Sequence, residues 1–161
     1  MLRYLYVLAL IVWLGGMAVL GAVVAPTIFQ VLQASAPETG RALAGAAFAA
    51  MLARFHYVAY LAGAIMFVSL TAMAVLGPRP AKFAVRMGII TAMLAIALYS
   101  GLGVLREIDG IQAAVGTLPS RLAPDDARRI RFDGLHVLST RLMSFNILLA
   151  LTLVFWEARE R

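Results

Sequence analysis

Two histidines, one arginine and a few small polar side chains are the residues best equipped for chemistry, and they lie beside or within long apolar stretches. His56 follows Arg54 and Phe55 at the head of one such stretch. His136, Ser139, Thr140, Arg141, Ser144 and Asn146 open another. His136, Ser139, Thr140 and Met143 are spaced to share one helix face. Imidazoles titrate or ligate, a guanidinium holds anions, and serine and asparagine fix orientation by hydrogen bonds. A charged group inside hydrocarbon costs ~2.5–3.5 kcal/mol on insertion scales unless it is paired or faces water. The expectation is a polar cavity in one leaflet that binds a small ligand, an ion or a lipid headgroup, built from His56, His136, Ser139, Arg141 and Asn146. The competing expectation is a packing seam. In it Arg141 lies on a buried face and pairs with Asp109 or Glu107, and each interhelical hydrogen bond adds ~0.6 kcal/mol.

Two histidines on different helices also admit haem or copper as an alternative. Tetrahedral zinc wants more ligands, and Met143 is about 10 Å along the axis from His136, too far to share an ion with it. No cysteine is present, which excludes thiolate metal sites and thiol catalysis. There is no nucleophile–base motif, phosphate loop or acid–base carboxylate pair, so no catalytic residue, resident metal or cofactor is expected, and the protein reads as a non-enzyme.

The elements that position these residues follow from composition. Of 161 residues, 63% are hydrophobic and 14% charged, with a mean hydropathy of +0.90. One soluble globule cannot hide that much apolar surface. Thirteen of the 14 cations are arginines, scattered rather than clustered; this suits lipid headgroups and excludes a nucleic-acid footprint. Uncharged runs of 34, 24 and 19 residues separate Arg3 from Glu38, Arg54 from Arg79, and Arg86 from Arg106. A crossing needs roughly 20 residues, so these are three spans. The fourth run, Leu142 to Trp156, reaches only ~22 Å and must begin before Arg141. The spacing predicts an all-α, four-helix transmembrane bundle, a single domain over 1–161, with spans at about 3–32, 54–77, 84–106 and 134–156. The first span is expected to stay as an anchor, because its apolar core is too long for a cleavable leader.

Between the spans, Ser35-Ala36-Pro37-Glu38 has the form of a capping box. Residues 40–51 suggest a helix lying at the interface or leading into span two. Ile108, Ile111 and Val115 extend span three outward, and Pro124-Asp125-Asp126 suits the start of the next helix. A helical hairpin protruding between spans three and four follows. An even number of spans puts both termini on one side, here side A, with side B opposite. The compact basic turn at 77–85 assigns side A to the cytoplasm, and arginine, glycine and proline usage suggests a bacterial inner membrane.

Span one carries Trp13-Leu14-Gly15-Gly16 and, later, Ala25-Pro26-Thr27-Ile28-Phe29. Small residues admit a neighbouring helix. Pro26 removes an amide donor and is expected to kink the helix near side B, its freed carbonyl lining the cavity. A glycine face of this kind also suits docking on a larger membrane complex or a homo-oligomer, so an accessory subunit is the second functional reading.

These stretches, with Phe55-His56 and Phe132…His136…Ser139…Asn146, resemble the small four-pass proteins called transmembrane protein 205-like, catalogued as domain of unknown function 4149. The resemblance covers nearly the whole chain and implies a four-helix integral membrane protein without an established activity. Eukaryotic relatives are linked to platinum-drug resistance, a role that a chain without cysteine does not inherit. The Trp-Leu-Gly-Gly motif alone is also similar to copper-resistance D-type membrane proteins.

Overall fold

A computed structural model describes residues 1–116 and 118–159. Four long helices account for nearly all of them: α1 (Leu2–Ser35), α2 (Gly40–Leu76), α3 (Phe83–Val115) and α4 (Ala127–Arg159). A short 3₁₀ turn, Pro119–Arg121, precedes α4. The helices run up, down, up and down, and each packs against its two neighbours in a square. Both described ends of the chain meet at side A, where Arg3 and Glu157 form an ion pair.

The packing stripes are periodic. Tyr6, Leu10, Trp13 and Met17 on α1 face Met66 and Leu70 on α2, Ile90 and Met93 on α3, and Ala150 and Leu153 on α4. Intervals of four and three residues keep each set on one side of a 3.6-residue helix. The outside is equally apolar: Leu61, Val68 and Leu148 are all exposed. Within each helix's most hydrophobic window only 17–33% of residues are buried. An apolar exterior around an apolar core is stable in hydrocarbon and not in water. The four helices are therefore long and apolar enough to cross a membrane, and the all-α bundle expected from the spacing is what the chain forms.

The helices outrun the expected spans. At 33–37 residues each, they are about 50 Å long, against ~30 Å of hydrocarbon. Charges at Arg41 and Arg54 end the apolar run without ending the helix, because alanine-rich sequence around them continues it. Residues 40–51 thus lead straight into span two. The α3–α4 hairpin protrudes on side B as expected, around Val104, Ile108 and Leu135, but the α1–α2 hairpin protrudes beside it. Arg121 joins the two tips by donating to the Glu38 carbonyl at 2.8 Å.

The capping box does not form. Ser35 ends α1 instead, its hydroxyl donating to the Val31 carbonyl at 2.9 Å. Ala36 leaves the helical region, at φ −143° and ψ 82°, because a residue before proline is driven out of it. The chain turns back at once, so close to α1 that a Cβ on Gly40 would overlap the Leu32 carbonyl. At the other hairpin the expectation holds: α4 begins after Asp126, whose carboxylate accepts from the Arg128 amide at 2.8 Å.

Neither does Pro26 interrupt its helix. A π turn at Leu20–Val24 precedes it, with the Ala25 amide reaching back to the Leu20 carbonyl. The wider turn absorbs the missing donor and the ring's bulk. A second π turn, Tyr99–Val104, sits in α3.

Candidate functional site

Counting about 1.5 Å per residue from the side-A helix ends puts Met17, His56, Ala97 and Met143 roughly 21–30 Å along their helices, in the side-B half of a ~30 Å hydrocarbon layer. There the four helices enclose a cavity of about 50 Å³. Trp13, Met17 and Leu20 from α1, Phe55 and His56 from α2, Ala97 and Ser100 from α3, and Ser139, Met143 and Asn146 from α4 line it. Drug-sized ligands occupy about 300–1,000 Å³. This cavity takes one or two waters or an ion of that size.

Glycines set its walls. Gly16 on α1 meets the Phe55 ring so closely that a Cβ there would overlap it, and Gly101 in the π turn of α3 backs onto His56 and Tyr60 in the same way. The small-residue face of span one is therefore filled within the bundle at Gly16. Gly15, by contrast, has nothing within 4 Å of a Cβ position.

His56 is 9% exposed. Its Nδ1 lies 2.8 Å from the Leu52 carbonyl of its own helix. A carbonyl only accepts, so Nδ1 carries the proton and Nε2 of the neutral ring is an acceptor. The Tyr60 ring stands 6.0 Å from the imidazole, with its hydroxyl donating to the Ala97 carbonyl at 3.3 Å. Across the bundle, Asn146 is 4% exposed. Its Nδ2 donates to the Met93 carbonyl at 3.2 Å, while its buried Oδ1 has no hydrogen-bond partner among the described residues. Two of the lining residues thus carry an acceptor, and the Ser100 and Ser139 hydroxyls can donate or accept.

Of the five residues expected at the site, the structure brings three together: His56, Ser139 and Asn146. The other two stay outside. Arg141 is exposed rather than on a buried face, and neither Asp109 nor Glu107 pairs with it. Glu107 instead accepts from Nε and Nη2 of Arg131, at 2.6 and 3.0 Å. A long side chain at that depth reaches the headgroups by extending along the helix, so no paired acid is needed. His136 is exposed as well, its ring stacked on Phe132 at 6.3 Å one turn earlier. It therefore does not face His56 across the cavity, the geometry that a bis-histidine haem or copper centre needs. Among the described residues no group of three or more His, Asp or Glu side chains forms a metal site. Pro26 is exposed and absent from the lining.

A second polar cluster, at side A, escaped the sequence reading. Arg86 is 2% exposed and donates to Glu157 at 3.1 Å; the carboxylate, 12% exposed, also meets Arg3. Periodicity could have found it. Arg86 continues the buried stripe Ile90, Met93 and Ala97, and Glu157 continues Asn146, Ala150 and Leu153, each at intervals of four, three and four.

Residues 8–115 match the family described as a domain of unknown function, DUF4149. The match covers Trp13, Gly16, His56 and Ser100 and stops before Ser139 and Asn146. No curated protein matches the chain, and neither does any solved structure.

Proposed function

The chain belongs to the DUF4149 family, and from that premise we propose that it is a non-enzymatic multi-pass membrane protein holding a small hydrogen-bond donor or cation in its side-B cavity. The observation that carries this reading is the unpartnered Oδ1 of Asn146. A buried acceptor left without a donor costs about 1–3 kcal/mol, and a guest that donates to it recovers that energy. In its neutral form the His56 ring, also part of the lining, brings a second acceptor, so water, ammonium or a small metal cation suits the site better than an anion. The cavity's volume favours such a guest over an organic ligand.

The Trp-Leu-Gly-Gly and Phe-His motifs support placing the chain with the transmembrane protein 205-like proteins. The basic turn Arg79–Lys82 supports cytoplasmic termini in a bacterial inner membrane; a reporter fused after Arg161 that is active only outside the cytoplasm would overturn that orientation.

The test is thermal unfolding of the purified protein in ammonium, potassium or choline chloride at equal ionic strength. Choline is too large for the cavity. Ammonium or potassium raises the wild-type midpoint above that in choline, and Asn146→Leu removes the difference. Identical midpoints in all three salts would rule out a cation as guest.

A further inference from the structure

At the end of the bundle opposite the cavity, the first turn of α1, the end of α2 and the start of α3 surround an open cleft of about 490 Å³. Its walls set Arg3, Arg86 and Glu157 beside apolar Met73, Leu76 and Pro80. That volume lies within the range of small-molecule sites, about 300–1,000 Å³. Arg86 is anchored, being 2% exposed and bonded to Glu157 at 3.1 Å. Arg3 holds the other face of the same carboxylate. The cluster opens onto a basic rim: Arg79, Lys82 and Arg159 stand at this end, where Glu157 is the single acid among the described residues. Lys82 lies over the Trp156 ring at 4.7 Å, the pairing of cation and amphipathic aromatic that marks the headgroup level.

We propose that this cleft binds the phosphate of an acidic phospholipid. Guanidinium forks match phosphate geometry, and a buried arginine held by a neighbour loses little freedom in making the contact. Met73 and Leu76, leading down α2 from the phosphate level, give the acyl chains an apolar wall. Free phosphate shares the headgroup chemistry but gains nothing from that wall. Glu157 aligns both guanidiniums and at the same time repels the incoming anion, so its removal strengthens binding.

Native mass spectrometry of the full chain in neutral detergent tests this, with short-chain phosphatidylglycerol, phosphatidylcholine of equal chain length and inorganic phosphate as probes. One phosphatidylglycerol binds per protein, about fivefold or more tighter than phosphatidylcholine, and Arg3→Gln weakens it about fivefold, as one arginine contact implies. Arg3 is more than half exposed, so this variant keeps the bundle assembled. Glu157→Gln tightens phosphatidylglycerol binding, which a purely structural cluster would not do. Arg41→Gln, exposed at the opposite end of the bundle, leaves it unchanged. Equal binding of the two lipids, or equal loss in Arg41→Gln and Arg3→Gln, overturns the site. Inorganic phosphate binding as tightly as phosphatidylglycerol overturns the lipid as its ligand.

Discussion

Asn146 on α4 donates to the carbonyl of Met93 on α3 at 3.2 Å, and its Oδ1 stays buried without a partner among the described residues. The amide is both a tie between two helices and a polar lining group. Replacing it by leucine removes both roles while keeping the branched shape. The tie alone predicts a modest loss, about 0.6 kcal/mol for an interhelical hydrogen bond in a membrane. Reversible unfolding in mixed micelles measures it, and a loss well above that figure would mean that the cavity's guest contributes to folding.

Gly15 and Gly16 separate packing from propensity. A Cβ at Gly16 overlaps the Phe55 ring, whereas at Gly15 it meets nothing. Gly16→Ala is expected to destabilise the bundle by about 1–3 kcal/mol, the range for overpacking. Gly15→Ala should be neutral or stabilising by up to about 1 kcal/mol, since alanine prefers the helix. The same unfolding assay distinguishes them, and equal effects would contradict the α1–α2 packing.

These two glycines mark how far the sequence could be read. The four crossings were legible because hydrocarbon thickness fixes the length of an uncharged run. Helix ends were not, because charges at Arg54 and Arg106 end the span while the backbone continues to be helical. His56, Ser139 and Asn146 were found because polar groups in hydrocarbon need a reason. Their company was harder to read, since facing requires the rotation of four helices about their axes. His136 and Arg141 sit within one turn of the lining residues in sequence but rotate outward, so depth along the helix located them and angle about its axis did not. Arg86 and Glu157 were missed for the opposite reason: both flank apolar runs, where charge is ordinary, although their register continued the buried stripes.

The Glu157 carboxylate clamps three helices at side A. Removing one partner of a buried pair costs about 3–5 kcal/mol because the other charge stays buried, so Glu157→Gln is expected to lose about 3 kcal/mol through Arg86. Arg3→Gln, at an exposed partner, should lose at most about 1 kcal/mol. Similar losses for the two variants would show that Arg86 does not depend on this carboxylate.

At the start of α4, outside the membrane-spanning run, hydrogen bonds from the Arg128 side chain and backbone hold the Asp126 carboxyl at about 2, below its ordinary 3.8. The folded value is the lower one, so the capping contribution is fully present above about pH 3.8. It is lost as pH falls through about 2. Side-chain carboxyl NMR should report that midpoint, and amide exchange at Arg128 should accelerate as it is crossed. Asp126→Asn makes the exchange rate independent of pH in this window, apart from the intrinsic chemistry. A midpoint near 3.8 would show the cap unformed.

The cavity's occupancy is the point on which the functional reading turns. Solid-state NMR of the ¹⁵N-labelled protein in bilayers, with magnetisation filtered for mobile water or ammonium protons, addresses it directly. The account predicts transfer from such protons to the Asn146 side-chain amide and the His56 ring, and none to the equally deep but lipid-facing Leu148 amide. A dry cavity, with no transfer to Asn146 or His56, would contradict it.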